Sequence, residues 1–276
     1  MGVIDYNITE EDKKRFNTDG YWISPKLIDD DTIARLRDAH ERVWSRKYDG
    51  HGMPMHHFHM QENPFALRKF DNGWWINDEI RSVVTDRNLG KMAAELLDEE
   101  SIRLWHDQVI YKPGTNGQET SAGNVGWHQD YGYWRCSSTA NMCTVWIALQ
   151  DTDMTNGGMM TILGSHKWGA VEGSDTFFDQ DMGKLKAKFA TRDWVEEPCI
   201  LKAGQASFHH ALTFHGSSTN YSPDPRLSVV AHLMPGHTYF REHSQRHPNL
   251  IHLSARPIPG MKFDNEEFFP TLYSKS

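Results

Sequence analysis

The sequence is poor in cysteine, with Cys136, Cys143 and Cys199 the only three in 276 residues. They form no Cys-x-x-Cys pair, and an odd number so spaced argues against a disulfide framework or a zinc finger and for a reducing compartment. No apolar run reaches 18 residues, so no membrane-spanning helix is expected. The N-terminal MGVIDYNITEEDKK has no apolar signal core, which favours a cytoplasmic protein over a secreted one. Lysine and arginine are dispersed among acids in a chain of net charge −8, leaving no clustered basic surface for a nucleic acid. Internal repeats and low-complexity tracts are also missing. These absences favour a globular chain that works on a small molecule.

Aromatic residues are abundant, at 12% with ten tryptophans, enough large rings to fill a substantial core. A single domain, 1–276, is expected in three parts. The first, 1–100, reads as mainly helical. Thr9 with Asp12 has the form of a capping box, and Asp19-Gly20 closes that helix. Ile33, Leu36, Val43 and Trp44 share a face of a second helix, and Leu89, Met92, Ala93, Leu96 and Leu97 share a face of another. Acidic residues at 29–31 and 98–100 read as helix ends. From residue 101 to 240 the pattern changes to short runs rich in Val, Ile, Trp and Tyr, such as IRLWHDQVIYKPG, MCTVWIALQDT and RLSVVAHLMP. Several short strands without long intervening helices suggest a sandwich or jelly roll, with 166–198 as an inserted loop or helix. Residues 241–276 form a C-terminal extension.

The stretch GWHQDYGYW places His128 and Asp130 two apart, so on an extended strand both project to one face. A lone His-x-Asp is more often a surface pair or an Asp-oriented core histidine. Two histidines and a carboxylate on one triangular face, however, hold iron(II) in oxygen-activating enzymes and leave positions open. His215, in TFHGSS, is the candidate for the second histidine. Eleven residues later, after a proline-rich turn, Arg226 can aim a guanidinium that forks onto a dicarboxylate.

This arrangement, His128-Gln129-Asp130, then His215, ten residues and Arg226, resembles the phytanoyl-CoA dioxygenase family of iron(II)- and 2-oxoglutarate-dependent oxygenases. NGGMMTILGSHKWG, from Asn156 to Gly169, and LKAGQASFHHALTFHGSS resemble family segments in the same order, and the likeness covers roughly residues 10 to 240. The resemblance implies a double-stranded β-helix of jelly-roll type with helices on one side. It implies His128, Asp130 and His215 as iron ligands, and Arg226 with Ser217 as the holders of the far carboxylate of 2-oxoglutarate. Trp146, Gln108 and Lys69 match positions beside that cosubstrate, while Tyr131, Tyr133, Trp134 and Arg135 fall where the family contacts its organic substrate. The cofactors implied are Fe(II), 2-oxoglutarate and O₂, and the default reaction is hydroxylation with release of succinate and CO₂. Asp130 argues against halogenation, because related halogenases carry a small residue there.

Other groups have blander readings. HGMPMHHFHM, with four histidines between 51 and 59, reads as a flexible lid rather than a second metal site. Gln129 points to the opposite strand face from its neighbours. His209 and His210 read as hydrogen-bonded core residues, and His166 as part of a turn after Gly164-Ser165. Two other functions fit part of the pattern: a cupin-like hydrolase or isomerase using Zn(II) on the same ligands, and a catalytically silent, non-catalytic binding module that keeps the barrel. Succinate formation with Fe(II) separates the first from an oxygenase, and failure to bind iron favours the second. The substrate and the oligomeric state, a homodimer included, are left open.

Overall fold

The computed structural model of the protein describes residues 2–49, 58–59 and 63–275. The histidine-rich segment, apart from the backbone of 58 and 59, lies outside the described residues. Helix α1 (Glu10–Asp19) is opened by Thr9 and Asp12, each side chain bonded to the other's backbone, and closed by Gly20 at φ 87°. Asp29 caps α2 (Asp30–Trp44), which buries Ile33, Leu36, Ala39, His40 and Val43 on one side. Helix α3 (Asp78–Val84) and helix α4 (Arg87–Leu97) come next, capped by Asn77 and Asp86. Among the described residues no helix is long and apolar enough to cross a membrane.

The strands are β1 (Tyr21–Ile23), β2 (Phe58–His59), β3 (Arg68–Asp71), β4 (Ser101–Lys112), β5 (Val125–His128) and β6 (Cys143–Ala148). They continue with β7 (Met159–Ile162), β8 (Glu196–Cys199), β9 (Ala206–His210), β10 (His215–Ser217), β11 (Arg226–Pro235) and β12 (Thr271–Ser274). The larger sheet runs β1-β9-β6-β11-β4-β3-β2, with β12 also paired to β4, and the smaller runs β5-β10-β7-β8. Every ladder is antiparallel. The 1–100 part is therefore not purely helical, since β1, β2 and β3 extend the larger sheet. The 166–198 excursion holds helix α5 (Met182–Phe189) and the start of β8.

Alternation along the strands divides the larger sheet between two environments. Leu104, Val109, Val145, Ile147, Val229 and Ala231 face outward and pack with α2, α3 and α4 in the main core. Ile110, Trp146, Ala148 and Val230 face inward and meet Val125 and Met159 of the smaller sheet. A jelly roll results, with helices on one face and a chamber between the sheets.

Candidate active site

In the smaller sheet β5 and β10 are neighbours, and His128 lies directly opposite His215. Their rings are 4.1 Å apart between centroids. Nδ1 of His128 lies 2.7 Å from Gly126 O, and Nδ1 of His215 lies 3.0 Å from Thr213 O. A carbonyl only accepts, so each Nδ1 carries the proton and each Nε2 presents a lone pair. Strand β5 ends at His128, Gln129 is extended, and Asp130 opens a short 3-10 turn, Asp130–Gly132. Asp130 Oδ1 consequently lies 3.6 Å from His128 Nε2 and 3.8 Å from His215 Nε2. The three ligand atoms fall within 4.8 Å of one another. Gln129 turns away. Its amide donates to Gly169 O and Leu212 O and accepts from Val171 N and Ser174 Oγ, which ties the strand end to the 166–198 excursion.

The other Asp130 oxygen, Oδ2, accepts a 2.6 Å bond from Thr144 Oγ, and Nε2 of His209 lies 3.4 Å from it. Burial alone would raise this carboxyl, but the imidazoles of His215, His128 and His209 hold it well below the usual carboxylate range. Thr144 has one proton and gives it to Asp130. The 2.9 Å contact between Thr144 Oγ and His232 Nδ1 therefore requires His232 to donate, which leaves His232 Nε2 as an acceptor with no hydrogen-bond partner among the described residues. Two imidazole lone pairs and one ionised carboxylate on a common face fit an iron(II) ion, with Thr144 orienting the carboxylate from behind.

Two chambers meet at this centre. The inner one, of about 50 Å³, is lined by Trp146, Gln108, Ser217 and Arg226, among others. Arg226 is buried, its Nη1 donates to Gly157 O, and its guanidinium sits 5.1 Å over the Trp146 ring. Burial lowers Arg226 to about 10. Behind Ser217 lies Lys112, a fully buried lysine that no sequence motif singles out, whose Nζ donates to Ser217 Oγ and Ser218 O at 2.5 Å each. The outer chamber, of about 160 Å³, is walled by Tyr133, Trp134, Phe177, His106 and His232. Gln108 borders both.

Several expected positions differ. Lys69 borders the outer chamber, not the inner, and pairs with Asp71 at 3.0 Å. Tyr131 is buried outside both chambers, its hydroxyl donating to Ser137 O and accepting from Arg241. Arg135 also lies outside them, bonded to Val171 O and 3.4 Å from Glu172. The cause is local: the chain curls at Asp130, so the two-residue alternation of β5 does not extend to residues 131–135. His209 faces the inner chamber and is no ordinary core residue, whereas His210 points the other way, toward Phe16 and His166. His166 fixes its turn to the end of α1 through Asn17 O.

The family model for phytanoyl-CoA dioxygenase (PhyH) matches residues 16–228. The peroxisomal phytanoyl-CoA dioxygenase of Rattus norvegicus is 23% identical over 243 residues, 83% of this chain and 70% of that protein. Among solved structures, the non-heme alpha-ketoglutarate-dependent carbocyclase SnoK from nogalamycin biosynthesis is 20% identical, with a TM-score of 0.76 and 97% of each chain covered. The epimerase SnoN, solved with Fe3+, alpha ketoglutarate and nogalamycin RO, has a TM-score of 0.75 and 20% identity, over 96% of this chain and 98% of that one. These two likenesses are of fold; the family match spans more than three quarters of the sequence. On that match the chain belongs to the phytanoyl-CoA dioxygenase family of Fe(II)- and 2-oxoglutarate-dependent dioxygenases.

Proposed function

We propose that His128, Asp130 and His215 hold the iron(II), that Arg226 and Ser217 receive the far carboxylate of 2-oxoglutarate, and that a small organic molecule in the outer chamber is hydroxylated. The observation that carries this reading is the buried Arg226 at the end of a chamber leading from the three ligands. Its pKa is moved by desolvation alone, with no described carboxylate contributing. A cation so buried is retained at a cost that an anionic ligand offsets. A zinc hydrolase on the same ligands would need an anionic substrate of its own to account for it.

Iron(II) held by His128, Asp130 and His215 would supply the activation of O₂ that couples decarboxylation of the 2-oxo acid, to succinate and CO₂, with oxidation of a C–H bond. The protein's part is placement. The Nδ1–H bonds of His128 and His215 fix both rings, Thr144 fixes Asp130, and Arg226 fixes the depth of the diacid. Tyr133, Trp134 and Phe177 give the outer chamber aromatic walls, and the His232 Nε2 lone pair offers an acceptor to a substrate O–H or N–H at the junction. SnoK and SnoN bear the names of a carbocyclase and an epimerase on similar folds. Substrate placement accordingly decides the outcome, and hydroxylation is the simplest one.

The test uses the purified protein with Fe(II), 2-oxoglutarate and O₂. Succinate should form, and the anaerobic complex should absorb in the visible range. Each of His128→Ala, Asp130→Ala and His215→Ala should weaken Fe(II) binding and abolish substrate oxidation, since two ligands and water do not replace a three-point face. Near-wild-type turnover in any two of them would remove the assignment.

A further inference from the structure

The inner chamber holds a second cation besides Arg226. Lys112 ends β4 and Arg226 begins β11, and the two are direct cross-strand partners. Both are buried, and like charges directly opposite on neighbouring strands destabilise a sheet. The groups acting on Lys112 are burial, which lowers it well below its ordinary value, and Arg226, which lowers it further. Among the described residues no carboxylate compensates either cation. Two uncompensated charges side by side are a stronger constraint than one.

On the reading that 2-oxoglutarate occupies the inner chamber, we propose that Lys112 is a positioning residue for it, orienting the Ser217 hydroxyl and sharing with Arg226 the selection of a second carboxylate. In the ammonium form, which a carboxylate bound in this chamber favours, Lys112 has only donors, so where its Nζ meets Ser217 Oγ the oxygen must accept. The single O–H of Ser217 then stays free to donate into the chamber it lines. Without Lys112 that hydroxyl could turn and accept instead. The second contact, to Ser218 O, fixes the ammonium behind the serine. Gly157 completes the cradle. At φ +72° its carbonyl accepts from Arg226, and a Cβ there would lie 2.7 Å from Ser218 O and 2.9 Å from Lys112 Cδ. The cluster thus presents a guanidinium, a hydroxyl turned to donate, and an ammonium behind it, a set suited to a carboxylate.

Lys112→Met keeps the length of the stem and removes the charge. Anaerobic titration into the Fe(II) enzyme should show 2-oxoglutarate affinity reduced on the order of tenfold or more, as for loss of a charge-assisted contact. Binding of 2-oxopentanoate, which has no far carboxylate, should hardly change, so the preference for the diacid narrows. Fe(II) affinity without any 2-oxo acid should hold, and the ligand-free thermal midpoint should not fall, because a repulsion is relieved. A purely structural lysine predicts the reverse: a lower midpoint and equal losses for both acids. In the Lys112→Met background, Ser217→Ala should cost less than in the wild type. Should Lys112→Met not fold, Lys112→Gln, which can still donate to both oxygens, should retain the fold and lose part of the preference. Wild-type affinity and preference in whichever variant folds would overturn the proposal. Arg226→Gln separates the two ideas: if it too leaves 2-oxoglutarate affinity untouched, the occupancy of the inner chamber is wrong, and if it alone weakens binding, only the role of Lys112 fails.

Discussion

Arg226 is the residue on which cosubstrate affinity should depend most steeply. Among the described residues its Nε has no partner and its Nη1 bonds only a carbonyl, so a carboxylate arriving there gains a largely desolvated, charge-assisted pair. Arg226→Gln should cost on the order of 2–5 kcal/mol in 2-oxoglutarate binding, and Ser217→Ala about 1 kcal/mol, with Fe(II) affinity nearly unchanged in both. Anaerobic titration gives both values, and an Arg226 variant that still prefers the diacid would refute the anchor. Thr144 acts on the metal side. Thr144→Val removes the bond to Asp130 Oδ2 and the acceptor of His232 Nδ1–H, and should lower Fe(II) affinity by about 10- to 100-fold, the range for outer groups that orient ligands. Thr144→Ser, which keeps the hydroxyl, should bind close to the wild type. Equal losses in the two would assign the effect to packing.

At the scale of the strand, the site is a set of rows running across the larger sheet. Lys112 pairs with Arg226. Two residues further along β4, Ile110 pairs with Ser228; then Gln108, Val230, Trp146 and Ser207 align; then His106, His232, Thr144 and His209. The cations thus occupy one end of the inner face and the imidazoles the other, with Asp130 reaching down to the last row. Much of this is legible in the sequence. Stepping by two from Gln108 reaches Lys112, and stepping by two from Arg226 reaches His232, so both residues that the motifs pass over lie on faces the motifs identify. Tyr131, Arg135 and Lys69 depart from expectation for a different reason. The first two come after a curl that strand alternation cannot foresee, and Lys69 sits on a short strand whose register is set by pairing with β4. Strand β5, which leads into the curl, packs tightly beneath the 166–198 excursion. A Cβ at Gly126 would fall 2.2 Å from Thr176 O and 2.4 Å from Asp179 O, both backbone atoms that cannot yield cheaply. Gly126→Ala should therefore destabilise the protein by about 1–3 kcal/mol, read as a lower thermal midpoint, and weaken Fe(II) binding through His128. An unchanged midpoint would mean that the excursion is not braced against β5.

Across the whole molecule, the chamber depends on the helices that cover the outer face of the larger sheet, and one buried histidine joins the two layers. His40 of α2 donates from Nε2 to Ser228 O of β11 at 3.0 Å, and its Nδ1 accepts from Trp44 Nε1 at 3.4 Å. Both nitrogens are thus occupied in the neutral ring. Protonation would set an Nδ1–H against the Trp44 N–H inside the core, and burial depresses the pKa to about 4, only partly opposed by the Ser228 carbonyl. The unfolded chain takes up this proton near its ordinary value of about 6.5, so between pH 6.5 and 4 the unfolded state binds more protons than the folded one. Stability is full above that window and falls as the pH drops through it, by up to about 3 kcal/mol from this group at the lower end. His106 at about 4 and His210 at about 3 act in the same direction. Replacing His40 by glutamine keeps a donor for Ser228 O but has nothing to protonate. Urea unfolding of His40→Gln in the presence of a chelator, from pH 7.5 to 4.5, should show a shallower loss of stability than the wild type, by close to one proton in slope. The two curves should converge in shape above pH 7, where the wild-type imidazole is neutral in both states. Parallel curves across the acid range would show that α2 does not hold His40 in the neutral form, and the acid sensitivity would then belong to the other buried histidines, His106 and His210 among them.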